Sequence, residues 1–249
     1  MIKLVYFYSN LNLKTEFMID IKGKTALITG SSRGVGQQIA IGLAQKRCNV
    51  ILHGRTSESN KKTQEMLKNY KVKTYTVFGE LSDENQVNAL IDQVKALNVN
   101  IDILYNNAGI MKAYHHDIWT HSYDEWLETY KVNVIAMYKL CGAFIPSMIK
   151  NKFGRIVNVT SRIQDQPQLA PYGASKWAVD KLTLDIAASL KDTSVRINYL
   201  DPGWLKTDMG GEYARNSVED VLPGALVPIL IENDGPNGEF FSALDFKVK

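Results

Sequence analysis

From Lys24 onward the chain alternates short runs rich in β-branched and aromatic residues with longer stretches in which apolar residues recur every three or four positions. The runs KTALIT (24–29), NVILH (49–53), KTYTVF (73–78), IDILYN (101–106), RIVNVT (155–160) and SVRINYL (194–200) read as strands, with EFFSAL (239–244) as a short seventh. The stretches GVGQQIAIGLAQKR, DENQVNALIDQVKAL and KVNVIAMYKLCGAFIPSMI have the period of helices that lay one face on a sheet. Strands and helices in alternation predict repeated βαβ units, hence a three-layer α/β fold: a doubly wound parallel sheet in a single domain. Such sheets bind ligands beyond the carboxyl ends of their strands, so the residues just after each strand carry the chemistry.

Composition fits that architecture. The 249 residues are 45% hydrophobic and 22% charged, enough for one large core and too apolar for a disordered chain. The 29 Lys and Arg against 26 acids leave a net charge of +3 spread along the chain, so nucleic acid is not the expected partner. Cys48 and Cys141 sit in apolar-periodic segments with neither a metal-ligand spacing nor a disulfide framework, the usage of a reducing cytoplasm. The opening MIKLVYFY is too short to span a membrane and no small-residue cleavage site follows it. Charges interrupt every later apolar run, so no membrane segment is expected. Residues 1–17 lie outside the alternation and are expected to form a poorly ordered extension; the single domain is 18–249, and MIDIKGK at 18–24 reads as a natural start.

The first strand runs into Thr29-Gly30-Ser31-Ser32-Arg33-Gly34-Val35-Gly36 and then a helix. Strand, glycine loop and helix in that order present backbone N–H groups to a pyrophosphate, the glycines permitting a tight turn and close approach. A dinucleotide site usually has an acid at the end of the second strand to bond the ribose 2′-hydroxyl. Here that stretch is His53-Gly54-Arg55-Thr56. Nothing in it repels a 2′-phosphate, and Arg55 with Arg33 can pair with one, so NADP(H) is favoured over NAD(H). Farther on, Tyr172 and Lys176 stand one helical turn apart and can meet over one ligand. Ser161 follows a strand 11 residues before Tyr172. No Gly-x-Ser-x-Gly elbow accompanies it, so Ser161 reads as a hydrogen-bonding group and not an acyl nucleophile. His115, His116 and His121 cluster in AYHHDIWTHSYDEW with Asp117 and Asp124, but no pair has an established zinc spacing. The segment reads as a polar surface loop without metal, with Trp119, Tyr123 and Trp126 opening the next helix.

Together these motifs resemble the short-chain dehydrogenase/reductase family of the non-extended type, from about Lys24 to the C-terminus. The resemblance rests on TGSSRGVG at 29–36, NNAG at 106–109, Asn133 in KVNV, Ser161, YGASK at 172–176, and Pro202-Gly203 leading to Thr207. The stretch PGWLKTDMGG (202–211) resembles the small-molecule carbonyl-reductase branch in particular. The resemblance implies a Rossmann-type dinucleotide fold and a catalytic tetrad of Asn133, Ser161, Tyr172 and Lys176. It implies cofactor contacts from Gly30, Ser32, Arg33, Gly34, Val35, Gly36, Arg55, Leu81, Asn107, Ala108, Gly109, Pro202, Gly203 and Thr207, together with Tyr172 and Lys176. It also implies a homodimer or homotetramer paired through two long helices, here about 131–150 and 172–190, with Ile135, Tyr138, Leu140, Phe144, Trp177 and Leu184 as candidate contacts. The chain departs from the family in two places. Gly79-Glu80-Leu81-Ser82 stands where an adenine-binding aspartate is usual, and the short Ser161–Tyr172 spacing implies a tighter loop over the substrate.

The chemistry expected is interconversion of a carbonyl and a secondary alcohol of a small, partly apolar substrate by hydride transfer, with Tyr172 carrying the proton. Bringing a phenol from a pKa of about 10 to near 7 requires about 4 kcal/mol. An ammonium about 4 Å away at an effective dielectric of about 20 supplies that much, the role expected of Lys176. Ser161 would hold the substrate oxygen, and by the resemblance Asn133 would fix a proton-relaying water. The alternative is a non-catalytic dinucleotide-binding sensor or scaffold of the same fold, which has no use for the four residues. An enoyl reductase or sugar epimerase of related fold would look different around the tyrosine–lysine pair. The segment after Thr207, with Trp204, Met209, Ile163 and Leu169, is expected to form a variable, partly apolar lid.

Overall fold

Strands buried on both faces are apolar throughout, and the runs read as strands pair into one parallel sheet of seven in the order β3-β2-β1-β4-β5-β6-β7. The computed structural model describes residues 18–247, so the expectation for residues 1–17 lies outside the described residues. The strands are β1 Thr25–Ile28, β2 Asn49–Gly54, β3 Thr74–Phe78, β4 Ile103–Asn106, β5 Gly154–Val159, β6 Val195–Asp201 and β7 Phe240–Ser242. The helices are α1 Gly34–Gln45, α2 Lys61–Leu67, α3 Glu84–Ala96, α4 Tyr123–Tyr130, α5 Ala136–Lys150 and α6 Ala170–Ser189. β1 pairs with β2 on one side and β4 on the other, so the order reverses there and a crevice opens above their carboxyl ends.

Alternation along each strand divides the core in two. On one face Ile28, Leu52 and Val157 pack with Ile39 and Leu43 of α1 and with Leu226 and Ile229 of the C-terminal segment. On the other, Leu27, Ile51, Leu104 and Ile156 pack with Leu90 of α3, Leu140 and Phe144 of α5 and Val179 of α6. Leu140 and Phe144, expected at a subunit contact, therefore belong to this core; their positions face the sheet. Ile135, Tyr138, Trp177 and Leu184 do face outward. The short α2 was not expected, because only Thr63 and Leu67 of its KKTQEML are buried and no apolar stripe marks it.

Helices α4 and α5 join without a break through a π turn at Lys131–Ile135. The continuous 28-residue helix Tyr123–Lys150 has a mean hydropathy of 1.5 in its most apolar window, which by length and composition would suffice to cross a membrane. This corrects the expectation that no segment would reach that standard. Half of that window is buried inside the protein, and Leu140, Cys141, Phe144 and Met148 account for its apolar face against the sheet. Two buried polar arrangements tie the layers together. Arg155 of β5 is fully buried and donates to the carbonyls of Ile231, Gly154 and Ser194 and to Asn233 Oδ1, pinning the C-terminal segment to the sheet. Asn106 of β4 donates to Asn158 Oδ1 of β5 at 2.8 Å, Asn158 donates to Thr183 Oγ1 of α6 at 2.8 Å, and Thr183 donates to the Val179 carbonyl.

Candidate active site

The glycine loop leaves β1 through two left-handed glycines, Gly30 at φ 64° and Gly34 at φ 59°, where a side chain would be strained. At Gly36 a Cβ would lie 2.4 Å from the Gly30 carbonyl oxygen and 2.5 Å from Asn107 Nδ2, so α1 can sit flush on the turn only because that atom is missing. The NNAG segment clamps the turn from below. Asn107 Nδ2 donates to the carbonyls of Thr29 and Gly30, while Thr29 Oγ1 accepts from the amides of Asn107 and Ala108. Arg33, the N-cap of α1, gives no side-chain cap, and no acid occupies the first turn. The leading N–H groups therefore have no side-chain acceptor, and their positive end suits an anion such as a pyrophosphate. Thr207 closes over this point, since a Cβ on Gly34 would meet Thr207 Cγ2 at 3.6 Å. Gly203, at φ 83°, turns the chain there after Pro202.

His53 is a working part of this cradle that sequence reasoning passed over. Its Nδ1 accepts from the Gly30 amide at 3.2 Å, so Nε2 must carry the hydrogen that it donates to the Gly79 carbonyl at 3.0 Å. Burial holds its pKa below the ordinary imidazole value, which keeps it neutral and in that tautomer. It struts the glycine loop against the end of β3. Ser32 faces the same loop, its carbonyl accepting from Gln37 and Thr63. Val35 packs into the α1 core cluster. Leu81 buries its side chain with Leu27, Ile51 and Val77, which leaves its backbone for any contact with a nucleotide. Of the two arginines, Arg55 is exposed and makes no ion pair among the described residues. Arg33 is paired with Asp208 at 3.0 Å, a contact in the lid that sequence spacing did not anticipate.

The four tetrad positions converge beyond β4 and β5. Ser161 follows β5 and lies near enough to Tyr172, in the first turn of α6, for its hydroxyl to pull the phenol's pKa down. Lys176, one turn on, is buried; its Nζ donates to the Val159 carbonyl at 2.8 Å and lies 5.6 Å from the centroid of the Tyr172 ring. Asn133 sits in the π turn, a helical irregularity often found at functional sites. Its Oδ1 accepts from the Ile110 amide at 2.8 Å, and its Nδ2 donates to the Ile110 carbonyl and to Ser175 Oγ. Its amide thus ties the NNAG segment to α6. Gly109 touches both groups, for a Cβ there would lie 3.3 Å from Asn133 Oδ1 and from Lys176 Nζ.

The electrostatics of the pair differ from the sequence expectation. Burial pushes the Tyr172 phenol up to about 12, with the Ser161 hydrogen bond pulling down and Asp201 pushing up. Burial also pulls the Lys176 ammonium down to about 8, against the opposing attraction of Asp180 and Asp201. The expected phenol near 7 does not appear, because desolvation acts on both groups and two carboxylates share the field of the lysine. Asp201, at the end of β6, accepts from the Gly203 amide at 2.9 Å. Asp180 accepts from Thr160 Oγ1 and from Arg162. Neither acid was singled out in the sequence, although Asp180 lies one turn after Lys176 and Asp201 directly precedes Pro202-Gly203. Arg162 also stacks over Phe240 at 3.7 Å, so the loop above the crevice is anchored at its root.

Known proteins give the same picture. The short chain dehydrogenase family matches residues 24–217 of this chain. A 3-oxoacyl-[acyl-carrier-protein] reductase of Aquifex aeolicus is 34% identical over 194 residues, 77% of each chain. Gluconate 5-dehydrogenase of Gluconobacter oxydans is 35% identical over 198 residues, 77% of this chain and 75% of that one. The crystal structure of a 3-oxoacyl (acyl-carrier-protein) reductase from Agrobacterium tumefaciens with NADP bound superposes with a TM-score of 0.81 at 26% identity, covering 94% of this chain and 97% of that one.

Proposed function

We propose, from the premise that this chain belongs to the short chain dehydrogenase family and is one of its oxidoreductases, that it interconverts a carbonyl and a secondary alcohol of a small, partly apolar substrate with NADP(H). The observation that carries this reading is Lys176, buried one turn after Tyr172 with its Nζ 5.6 Å from that ring's centroid, in the same fold as the uncapped start of α1. A bound nicotinamide nucleotide supplies or accepts the hydride. The first amides of α1 would hold its pyrophosphate. Lys176 has three donors and directs one to Val159, leaving two for ribose hydroxyls. Ser161 and Tyr172 share the substrate oxygen. In the reducing direction the neutral Tyr172 hydroxyl donates its proton to an oxygen becoming an alkoxide, and the Lys176 charge stabilises the phenolate left behind. Asn133 keeps the crevice floor in place through Ile110 and Ser175.

The relatives named above support carbonyl–alcohol chemistry. Unpaired, buried Cys48 and Cys141, both thiols pushed up to about 12 by burial, support a reducing cytoplasmic setting. Following nicotinamide absorbance with aldehydes, ketones, quinones and 3-oxo thioesters tests the reading; no turnover of any carbonyl with either nucleotide would overturn it.

Cofactor choice is assigned to Arg55. A charge-assisted contact to a 2′-phosphate is worth about 1.5–3 kcal/mol, so Arg55→Ala should raise Kd for NADPH by about 10- to 150-fold and leave NADH unchanged. Equal losses for both nucleotides would refute the assignment. Arg33 contributes only by leaving Asp208, a small cost because an exposed pair is worth at most about 1 kcal/mol.

The reading includes a homo-oligomer. Ile135, Tyr138, Trp177 and Leu184 are 48%, 55%, 52% and 44% exposed on the two long helices, an apolar face suited to a symmetric pairing. Light scattering at micromolar concentration should return two or four times the 28.0 kDa chain mass; a monomer would contradict it.

A further inference from the structure

The loop after β4 folds three side chains together outside the crevice. Thr120 Oγ1 has one hydrogen and donates it to the Asp117 carbonyl at 2.7 Å, so in its 2.9 Å contact with His115 it accepts, and His115 Nδ1 carries the hydrogen. In the neutral imidazole the lone pair of His115 Nε2 then faces Glu125 Oε1 at 2.8 Å. Two acceptors at that distance repel each other unless a cation lies between them. A shared proton would serve those two alone. It would do nothing for His121, whose ring lies 4.3 Å from that of His115 and whose two nitrogens are shielded from solvent with no hydrogen-bond partner among the described residues. A buried polar group without a partner is costly. One donor atom from each of His115, His121 and Glu125 lies within 4.8 Å of the others.

We propose that His115, His121 and Glu125 bind a divalent transition-metal ion, zinc by the chemistry of its ligands. Two imidazoles and one carboxylate suit zinc, whereas magnesium and calcium prefer all-oxygen sites. Tetrahedral bonds of about 2.0–2.2 Å place ligand atoms about 3.3 Å apart, which small side-chain rotations achieve from the observed arrangement. The supporting contacts match those of metal sites. Thr120 fixes the tautomer that leaves Nε2 of His115 available, and the Ser122 amide holds Glu125 Oε2 at 2.7 Å, leaving Oε1 for the ion. Three protein ligands leave a fourth position for water. Sequence spacing argued against a metal because no ligand pair has an established zinc spacing, His115 and His121 having five residues between them; the 3-10 turn Ile118–Thr120 brings them back together. The His115 amide donates to the Gln168 carbonyl at 3.1 Å, so the ion would stiffen the outer wall of the substrate loop.

The site is tested on chelator-stripped full-length protein by titration with Zn²⁺ in a calorimeter and with Co²⁺ in the visible spectrum. The expected result is one Zn²⁺ per chain, Co²⁺ bands of tetrahedral intensity, and a zinc-dependent rise in Tm. Thr120→Val should weaken binding by about 10- to 100-fold, and His121→Ala or Glu125→Gln by at least as much. Glutamine at position 125 keeps the capping box, so that variant separates ligation from folding. Sub-stoichiometric binding, or equal affinity in wild type, His121→Ala and Glu125→Gln, would overturn the proposal and leave a proton-bridged His115–Glu125 pair. The outcome does not depend on the nucleotide or on turnover.

Discussion

Tyr172→Phe is expected to lower turnover by about 10² to 10⁴ while nucleotide affinity and fold survive. The substitution removes one hydroxyl, a stability cost of at most about 1 kcal/mol, and leaves the ring in place. Retention of more than about a tenth of the wild-type rate would show that the proton travels another way. The pH profile adds an independent check. Lys176 lies below the ordinary lysine value, so its charge is present below about 8 and is lost as pH rises through that point. Tyr172 keeps its proton up to about 12. For carbonyl reduction, kcat/KM for the nucleotide should therefore decline above pH 8. A rate that climbed through pH 9 would mean that a phenolate base, and not a phenol acid, does the work.

Gly36→Ala is expected to damage nucleotide binding through a single added methyl. The added Cβ would sit 2.4 Å from the Gly30 carbonyl oxygen and 2.5 Å from Asn107 Nδ2, and the first of these is backbone that cannot rotate away. Helix α1 must lift off the turn. Its amides then lose their aim at the pyrophosphate, and the strain of such overpacking is about 1–3 kcal/mol, or about 5- to 150-fold in Kd. Both NADPH and NADH should suffer, in contrast to Arg55→Ala. Wild-type affinity with unchanged Tm would show that the loop is softer than its geometry implies.

Much of this fold was legible in the sequence because strands buried on both faces leave conspicuous runs. All seven strand runs, including the marginal EFFSAL, coincide with observed strands, β2, β5 and β6 each reaching one residue beyond its run to Gly54, Gly154 and Asp201, and the glycine loop and tyrosine helix fall where their motifs placed them. What stayed hidden depends on contacts between segments far apart in the chain. α2 has no apolar stripe to announce it. The inward setting of Leu140 and Phe144 could not be separated from an outward one in a helix apolar on both sides. The raised phenol and lowered ammonium depend on how deeply the fold buries Tyr172 and Lys176, and on Asp201 being brought to them from β6. The same holds for His53, whose strut joins residues 23 and 26 positions away.

The chain of amides and hydroxyl from Asn106 through Asn158 to Thr183 has a consequence for how Tyr172 and Lys176 are aimed. A helix seated only by interchangeable apolar contacts can screw about its axis by a fraction of a turn at little cost. α6 cannot do so without withdrawing Thr183 from Asn158 and stranding a buried amide, at about 1–3 kcal/mol for each orphaned group. Thr183 lies seven positions after Lys176, two turns along the same stripe. The azimuth of Lys176, and with it the bearing of Tyr172 on the crevice, is thus indexed from below by a peg in the sheet, out of reach of whatever fills the crevice.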